Sequence, residues 1–279
     1  MSVCLHPCLW FDGNAKEAAD LYCSVFDSST IKSENPFVVM FDLLGQTFMG
    51  LNGGDTHKIN PSISFMVTYQ NEEEIRNAWE LLSIKGNVLM PLDKYDWSEC
   101  YGWVEDKFGV NWQLYLGEKQ DTEQRISPTL MFVSEQNGKA EQAINYYTSI
   151  FDNSNIKGIL KYNNGDDDIE GNVKHAQFSL NGYTMMAMDS SADHKFQFSE
   201  GVSIVITCDT QDEIDYYWDK LKDGGEEDKC GWLKDQFGVS WQVVPRILGE
   251  LMSDPIKSPR VVDTFMNMTK LDIEKLKNA

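Results

Sequence analysis

Residues 102–113 read GWVEDKFGVNWQ, and residues 231–242 read GWLKDQFGVSWQ, with eight of twelve positions identical across a spacing of 129 residues. The echo is one of a series in constant order. PCLWF (7–11) returns as PTLMF (128–132), AADLYCSVFDSSTIK (18–32) as AINYYTSIFDNSNIK (143–157), and EEIRNAWELL (73–82) as DEIDYYWDKL (212–221). Self-similarity at a fixed period means that one structural unit is built twice. The expected organisation is a module at 1–122, a second at 123–250 and a helical tail at 251–279, with the polar GEKQDTEQR as linker.

Each copy carries the same local pattern. PCLWF is a short apolar strand, and Asn14 followed by Glu17 has the form of a capping box for a helix whose stripe is Ala18, Tyr22 and Phe26. Strands joined by glycine turns follow, then Asn71 with Glu74, and in copy two Thr210 with Glu213, to cap a second helix. Strand, helix and three strands, performed twice per copy, predict an α+β fold with curved mixed sheets. In VNWQL the spacing puts Trp112 and Leu114 on one face and Asn111 and Gln113 on the other, so Gln113 and Gln242 are expected to look into whatever the sheet encloses. In the tail two short helices are expected, one from Pro259 and one capped by Thr269, docked through Val262, Phe265 and Met266.

Composition narrows the partners. Lys and Arg number 24 against 44 acids, a net charge of −20, which repels nucleic acid and anionic lipid. No apolar run approaches the ~18 residues of a membrane span. MSVCLHPCLWFDGNAK lacks the basic start of a signal peptide, so a cytoplasmic location is expected. The six cysteines lack zinc-finger spacing and read as reduced, buried thiols.

PCLWFDGNAKEAADLYCSVF, FMGLNGG, LMPLDKYDWSECYGWVEDKFGVNWQL and KCGWLKDQFGVSWQVVP resemble the vicinal oxygen chelate superfamily (glyoxalase I, bleomycin-resistance proteins, extradiol dioxygenases), and within it the PhnB-like branch, labelled 3-demethylubiquinone-9 3-methyltransferase-like. The resemblance covers nearly all of both copies. It implies tandem glyoxalase/bleomycin-resistance-like modules, each of paired βαβββ units forming a cupped sheet, and pairing of the two modules within one chain. A further homodimer is left open. A methyl donor such as S-adenosylmethionine calls for a Gly-rich strand-to-helix turn in a doubly wound sheet, and neither copy has one.

The resemblance also implies a divalent metal held at four inward positions by His or Glu. At the first-strand position this chain has His6 and Ser127, near the fourth-strand one Gly50 and Ala187, at the fifth Ser62 and Gly201, and at the eighth Gln113 and Gln242. His6, Gln113 and Gln242 are the candidate ligands, too few and too weakly charged for zinc or a hard octahedral ion. No cofactor is expected, with a divalent metal as the alternative.

His175, at the start of KHAQFSL, is the candidate acid or base. His57, His194 and the run Asp166–Asp168 are expected to be solvated loops. Copy two lacks the VLMPLDKYDW hairpin, since Leu82 to Gly102 spans twenty residues but Leu221 to Gly231 ten, so one pocket mouth should be more open. The expected working pocket belongs to copy one, lined by Trp10, Phe48, Trp97 and Trp103 over Gln113, with Gln242 as counterpart in copy two. Three functions are open: a metal-independent protein binding or sequestering a small aromatic or amphipathic ligand, a glyoxalase-type lyase, isomerase or oxygenase using a metal or His175, or an interaction module whose pocket is filled by its own side chains.

Overall fold

The computed structural model describes residues 3–117 and 124–279, so the expected boundary at 122/123 lies outside the described residues. Copy one runs β1 (Cys4–Phe11), α1 (Ala15–Val25), β2 (Thr30–Glu34), β3 (Val38–Leu43), β4 (Gln46–Asn52), β5 (Ile63–Tyr69), α2 (Glu72–Leu82), β6 (Asn87–Tyr95), β7 (Ser98–Glu105) and β8 (Asn111–Leu116). Copy two runs β9 (Ile126–Phe132), α3 (Ala140–Ile150), β10 (Asn155–Lys161), β11 (Val173–Leu180), β12 (Tyr183–Asp189), β13 (Val202–Cys208), α4 (Gln211–Leu221), β14 (Glu226–Glu227), β15 (Trp232–Lys234) and β16 (Ser240–Pro245). The tail holds α5 (Ile247–Ser253), α6 (Ser258–Met266) and α7 (Ile273–Lys277).

The strands form two eight-stranded mixed sheets, and each draws four strands from either copy. The first has the order β14-β15-β16-β13-β1-β4-β3-β2, the second β10-β11-β12-β9-β5-β8-β7-β6. The copies join through antiparallel pairs, β1 with β13 (Cys4 opposite Thr207, Leu9 opposite Val202) and β5 with β9 (Ile63 opposite Leu130).

One face of each sheet enters a continuous apolar core. Leu5, Leu9 and Phe11 of β1, Phe41 and Phe48, Phe65, Trp112 and Trp241 all belong to it. Aromatic contacts carry it from one sheet to the other: Phe48 of the first packs 5.3 Å from Phe65 of the second. Tyr22 of α1 packs 5.1 Å from Trp112 of β8, and Tyr147 of α3 packs 5.4 Å from Trp241 of β16.

The repeated twelve-residue motif builds this core. Asp235 is buried, and its Oδ1 accepts the amides of Phe237 (2.8 Å) and Val239 (3.1 Å). Its Oδ2 accepts Trp241 Nε1 (2.8 Å) and the Tyr147 hydroxyl (2.6 Å). Asp106 does the same for Phe108, Val110 and Trp112. Its tyrosine, Tyr22, lies beside it but outside hydrogen-bond geometry. Gly109 and Gly238, at φ +88° and +86°, make the turn that the carboxylate closes. With four hydrogen bonds on Asp235 and three on Asp106, each carboxylate is a structural brace.

The capping expectations divide. Thr210 and Glu213 form a full capping box on α4, and Asn71 caps α2 by accepting Glu73 N. Asn14 makes no side-chain cap. The amide of Ala15 is taken instead by Asn52 Oδ1 (3.0 Å) from the end of β4, and α3 is served likewise by Asp189 from the end of β12, which accepts Gly138 N and Ala140 N. The tail has three helices rather than two, and Asp272, not Thr269, caps α7. Its apolar centre is Leu251, Val261, Leu271 and Leu276, with Phe265 packed against it, while Val262 and Met266 are exposed.

Candidate functional site: two unequal cups

The face of each sheet turned from the core is the cup. Because each sheet is shared, so is each cup, and the residues expected to line one pocket separate. Trp10 and Gln242 stand in the first sheet; Trp97, Trp103 and Gln113 belong to the second, on or beside β7 and β8. Phe48 lies on neither cup face: it is fully buried in the core against Phe41 and Phe65. Its neighbours Met49 and Leu51, paired with Cys8 and Trp10, take the cup side of β4.

In the second cup both ends of the Gln113 amide are bonded. Its Oε1 accepts the Tyr101 hydroxyl (2.7 Å) and its Nε2 donates to Ser64 Oγ (2.7 Å). Tyr101, Trp103 and Met131 cluster over it with Met66, Met90, Tyr95, Met188 and Phe196 packed against them. Ser127 and Thr129 are buried, and Gln124 donates to Ser127 Oγ at 3.3 Å. Trp97 is 57% exposed, stacked on Tyr95 at the rim. His175 is on the same face of β11 as Gln177, exposed and away from Gln113 across three intervening strands.

The first cup has the same plan with different side chains. Gln242 Nε2 donates to Ser203 Oγ (3.0 Å), as Gln113 does to Ser64. The position of Tyr101 is taken by Cys230, so no phenol reaches the glutamine, and Thr129 is replaced by Cys8. Cys8 lies beside Gln242 and Ser203, which favour its thiolate, but burial outweighs both and pushes its thiol up to about 12, leaving it neutral and without nucleophilic character. His6 stands where the second cup has Ser127, opposite Val205 and hence one strand from Gln242. Its ring is half-buried and makes no hydrogen bond to another described residue, and burial lowers its pKa to about 4, so the imidazole is neutral at pH 7.

At one end of this cup, Trp10 packs edge-on to Trp232 (5.9 Å) and to His57 (4.6 Å). His57 was expected in solvent; its Nδ1 lies 3.3 Å from Glu200, which also pairs with Lys234 (2.7 Å). Burial works against the Glu200 charge, yet Lys234 and His57 hold its carboxyl below the usual range. Trp10 is pinned by its Nε1 donating to Gly54 O (2.8 Å). His57 and Trp232 are residues that sequence reasoning left outside the site. His194 is also engaged, 2.7 Å from Ser190 Oγ, and Asp168 accepts the amides of Ile169 and Ser191, so neither is a bare solvated side chain.

The metal positions of the superfamily do not assemble. Gly50 lies on the core side, where an added Cβ would meet Ala15 at 3.1 Å. Ser62 and Gly201 precede β5 and β13 and bond through their carbonyls to the amides of Met131 and Trp10. The first cup offers one imidazole, one neutral thiol and one amide; the second offers an amide, a phenol and hydroxyls. Among the described residues no three His, Cys, Asp or Glu side chains converge. Catalytic zinc takes three protein ligands, and hard cations want anionic oxygens, so these residues do not fit a divalent ion.

The family model of 3-demethylubiquinone-9 3-methyltransferase matches residues 4–115 and again 124–244. The chain belongs to this family, twice over. A PhnB protein from Bacillus cereus is 37% identical, over 40% of this chain and 98% of its own, with a TM-score of 0.38. A Staphylococcus aureus protein is 32% identical over 41% of this chain and 96% of its own, with a TM-score of 0.20. Glyoxalase I from Zea mays aligns along 91% of this chain and 97% of its own, with a TM-score of 0.59 and 13% identity. That match, at so low an identity, speaks to fold, and it places both modules of this PhnB-like chain in the glyoxalase architecture. No protein of curated function matches the chain.

Proposed function

We propose that this PhnB-like protein binds a small, uncharged aromatic or amphipathic molecule in the first cup without a metal, and that the second cup is scaffold. The observation that carries the reading is the contrast between two cups of one ancestry. In the second, the glutamine has both ends bonded and aromatic and methionine side chains bury it. In the first, Gln242 is buried as well but has lost its tyrosine, and His6, Trp10, Met49, Leu51 and Trp232 on the same face of the sheet are all half-exposed. A face with much apolar area and a few convergent polar groups is how small-molecule sites are built.

The groups on the cup floor carry no charge at pH 7, and the acid at its end is paired. His6 is deprotonated and Cys8 protonated, while Glu200 is matched by Lys234. Such a floor rewards a ligand with an amide, hydroxyl or carbonyl edge and offers no compensation to a bare charge. Thermal-shift screening of a metabolite and antibiotic panel tests the reading. Stabilisation by an uncharged aromatic compound, lost in Gln242→Leu and Trp232→Ala and kept in Met188→Ala, is expected. Stabilisation that depends on added metal would favour the glyoxalase-type alternative, and none from any compound would remove the binding function.

A further inference from the structure

The tail occupies the place of the missing hairpin. In copy one, β6 covers the outer edge of β7, with Asp93 opposite Tyr101 and Met90 opposite Trp103. Copy two has only the two-residue β14 there, and Cys230 and Gly231 would be left with open backbone amides. The tail supplies the acceptors: Cys230 N donates to Met268 O (2.7 Å) and Gly231 N to Thr269 O (2.8 Å).

Side chains repeat the substitution. A Cβ on Gly102 would meet Leu92 of β6 at 3.1 Å, and a Cβ on its counterpart Gly231 would meet Leu271 of the tail, also at 3.1 Å. Gln211 locks the strap by donating to Leu271 O and accepting Ile273 N.

The strap also reaches the cup. In the second cup Tyr115, two residues beyond Gln113, packs against the cluster of Tyr101, Trp103 and Met131, as Tyr95 and Met90 of the hairpin do. In the first, Val244, two residues beyond Gln242, packs against the tail's cluster of Leu251, Val261, Leu271 and Leu276, as Phe265 does. Cys230, standing where Tyr101 does, has its Sγ 3.7 Å from Phe265 O and 3.7 Å from Met266 Sδ.

We infer that the C-terminal tail is a wall of the ligand site in the first cup, with Phe265, packed on the same cluster as Val244, as a specificity-determining residue. This rests on the proposed binding function and adds to it a segment outside both repeats. The wall is apolar and aromatic, so it selects for a ligand that extends from the Trp10–Trp232 end past Gln242 to Val244.

The test is fluorescence titration of the full chain with N-phenyl-1-naphthylamine, an uncharged aromatic probe that brightens in apolar surroundings. Saturable binding is expected, weakened about fivefold or more by Trp232→Ala and about threefold or more by Phe265→Ala, as for a lost aromatic contact. Phe265→Leu should recover part of the loss, and Val262→Ser on the exposed side of α6 should change nothing. Hydrogen exchange at Cys230 and Gly231 distinguishes loss of the ring (slow amides) from undocking of the tail (fast amides), and either with weakened binding supports the wall. Weakening by Trp232→Ala alone would overturn the wall and leave the cup as the site. No binding, or binding indifferent to both, would overturn both.

Discussion

Two titratable residues carry opposite lessons. Asp235 is repeated as Asp106, an acid written into both copies, yet its oxygens are spent on two amides, an indole and a phenol. Burial raises its pKa to about 6. Asp235→Asn keeps the shape but turns an NH₂ group toward Trp241 Nε1, and should cost about 2–3 kcal/mol in urea denaturation, as for a buried donor left unpaired in place of a charged acceptor. His6 has no counterpart, since copy two has Ser127. Its pKa falls from 6.5 to about 4 on folding. Between those values the unfolded chain binds more protons, so this residue makes stability rise with pH and fall as pH drops through the window. His6→Ser should therefore be less acid-sensitive than the parent between pH 6.5 and 4, read from urea midpoints at several pH values. An identical acid sensitivity would mean that His6 is solvated and protonates freely in the folded protein.

Among the elements, the helices were the most legible. Thr210 with Glu213 forms the capping box that the local spelling announces, because both partners lie within one turn. Asn14 with Glu17 has the same spelling and fails, since the α1 amide is met by Asn52 from a strand 37 residues away. Asn52→Ala should lower stability by about 1 kcal/mol, the usual worth of a cap, whereas Asn14→Ala should leave the melting temperature nearly unchanged. The strand faces were less legible for a related reason. Within TFMGLN the stretch FMGL has no polar residue, and a run of that kind does not say which side meets the core. Phe48 therefore went to the wrong face on paper, though VNWQL, with polar and apolar residues alternating, placed Gln113 and Trp112 on their proper sides. The tail's replacement of the hairpin had no local spelling at all. It depends on Gly231 meeting Leu271 forty residues on.

At the scale of the whole molecule, the duplication was plain in the sequence but the exchange of strands between copies was not, because strand partners are chosen by long-range packing. The exchange means that a copy cannot complete either sheet by itself. A chain of residues 1–117 would expose β1 and β5, each apolar and each missing its antiparallel neighbour, and bare strands of this kind seek partners. It should self-associate, with a second copy's β5 standing in for β13, and light scattering after gel filtration should find a dimer or larger. A well-behaved monomer would contradict the observed pairing. The same exchange bears on how the two hollows came to differ. In an assembly of two identical subunits, any amino-acid change is imposed on both hollows at once, so improving one necessarily alters its twin. Joining the halves into one polypeptide lifts that constraint: histidine could enter at position 6 while serine remained at 127, and tyrosine could stay at 101 while cysteine took 230.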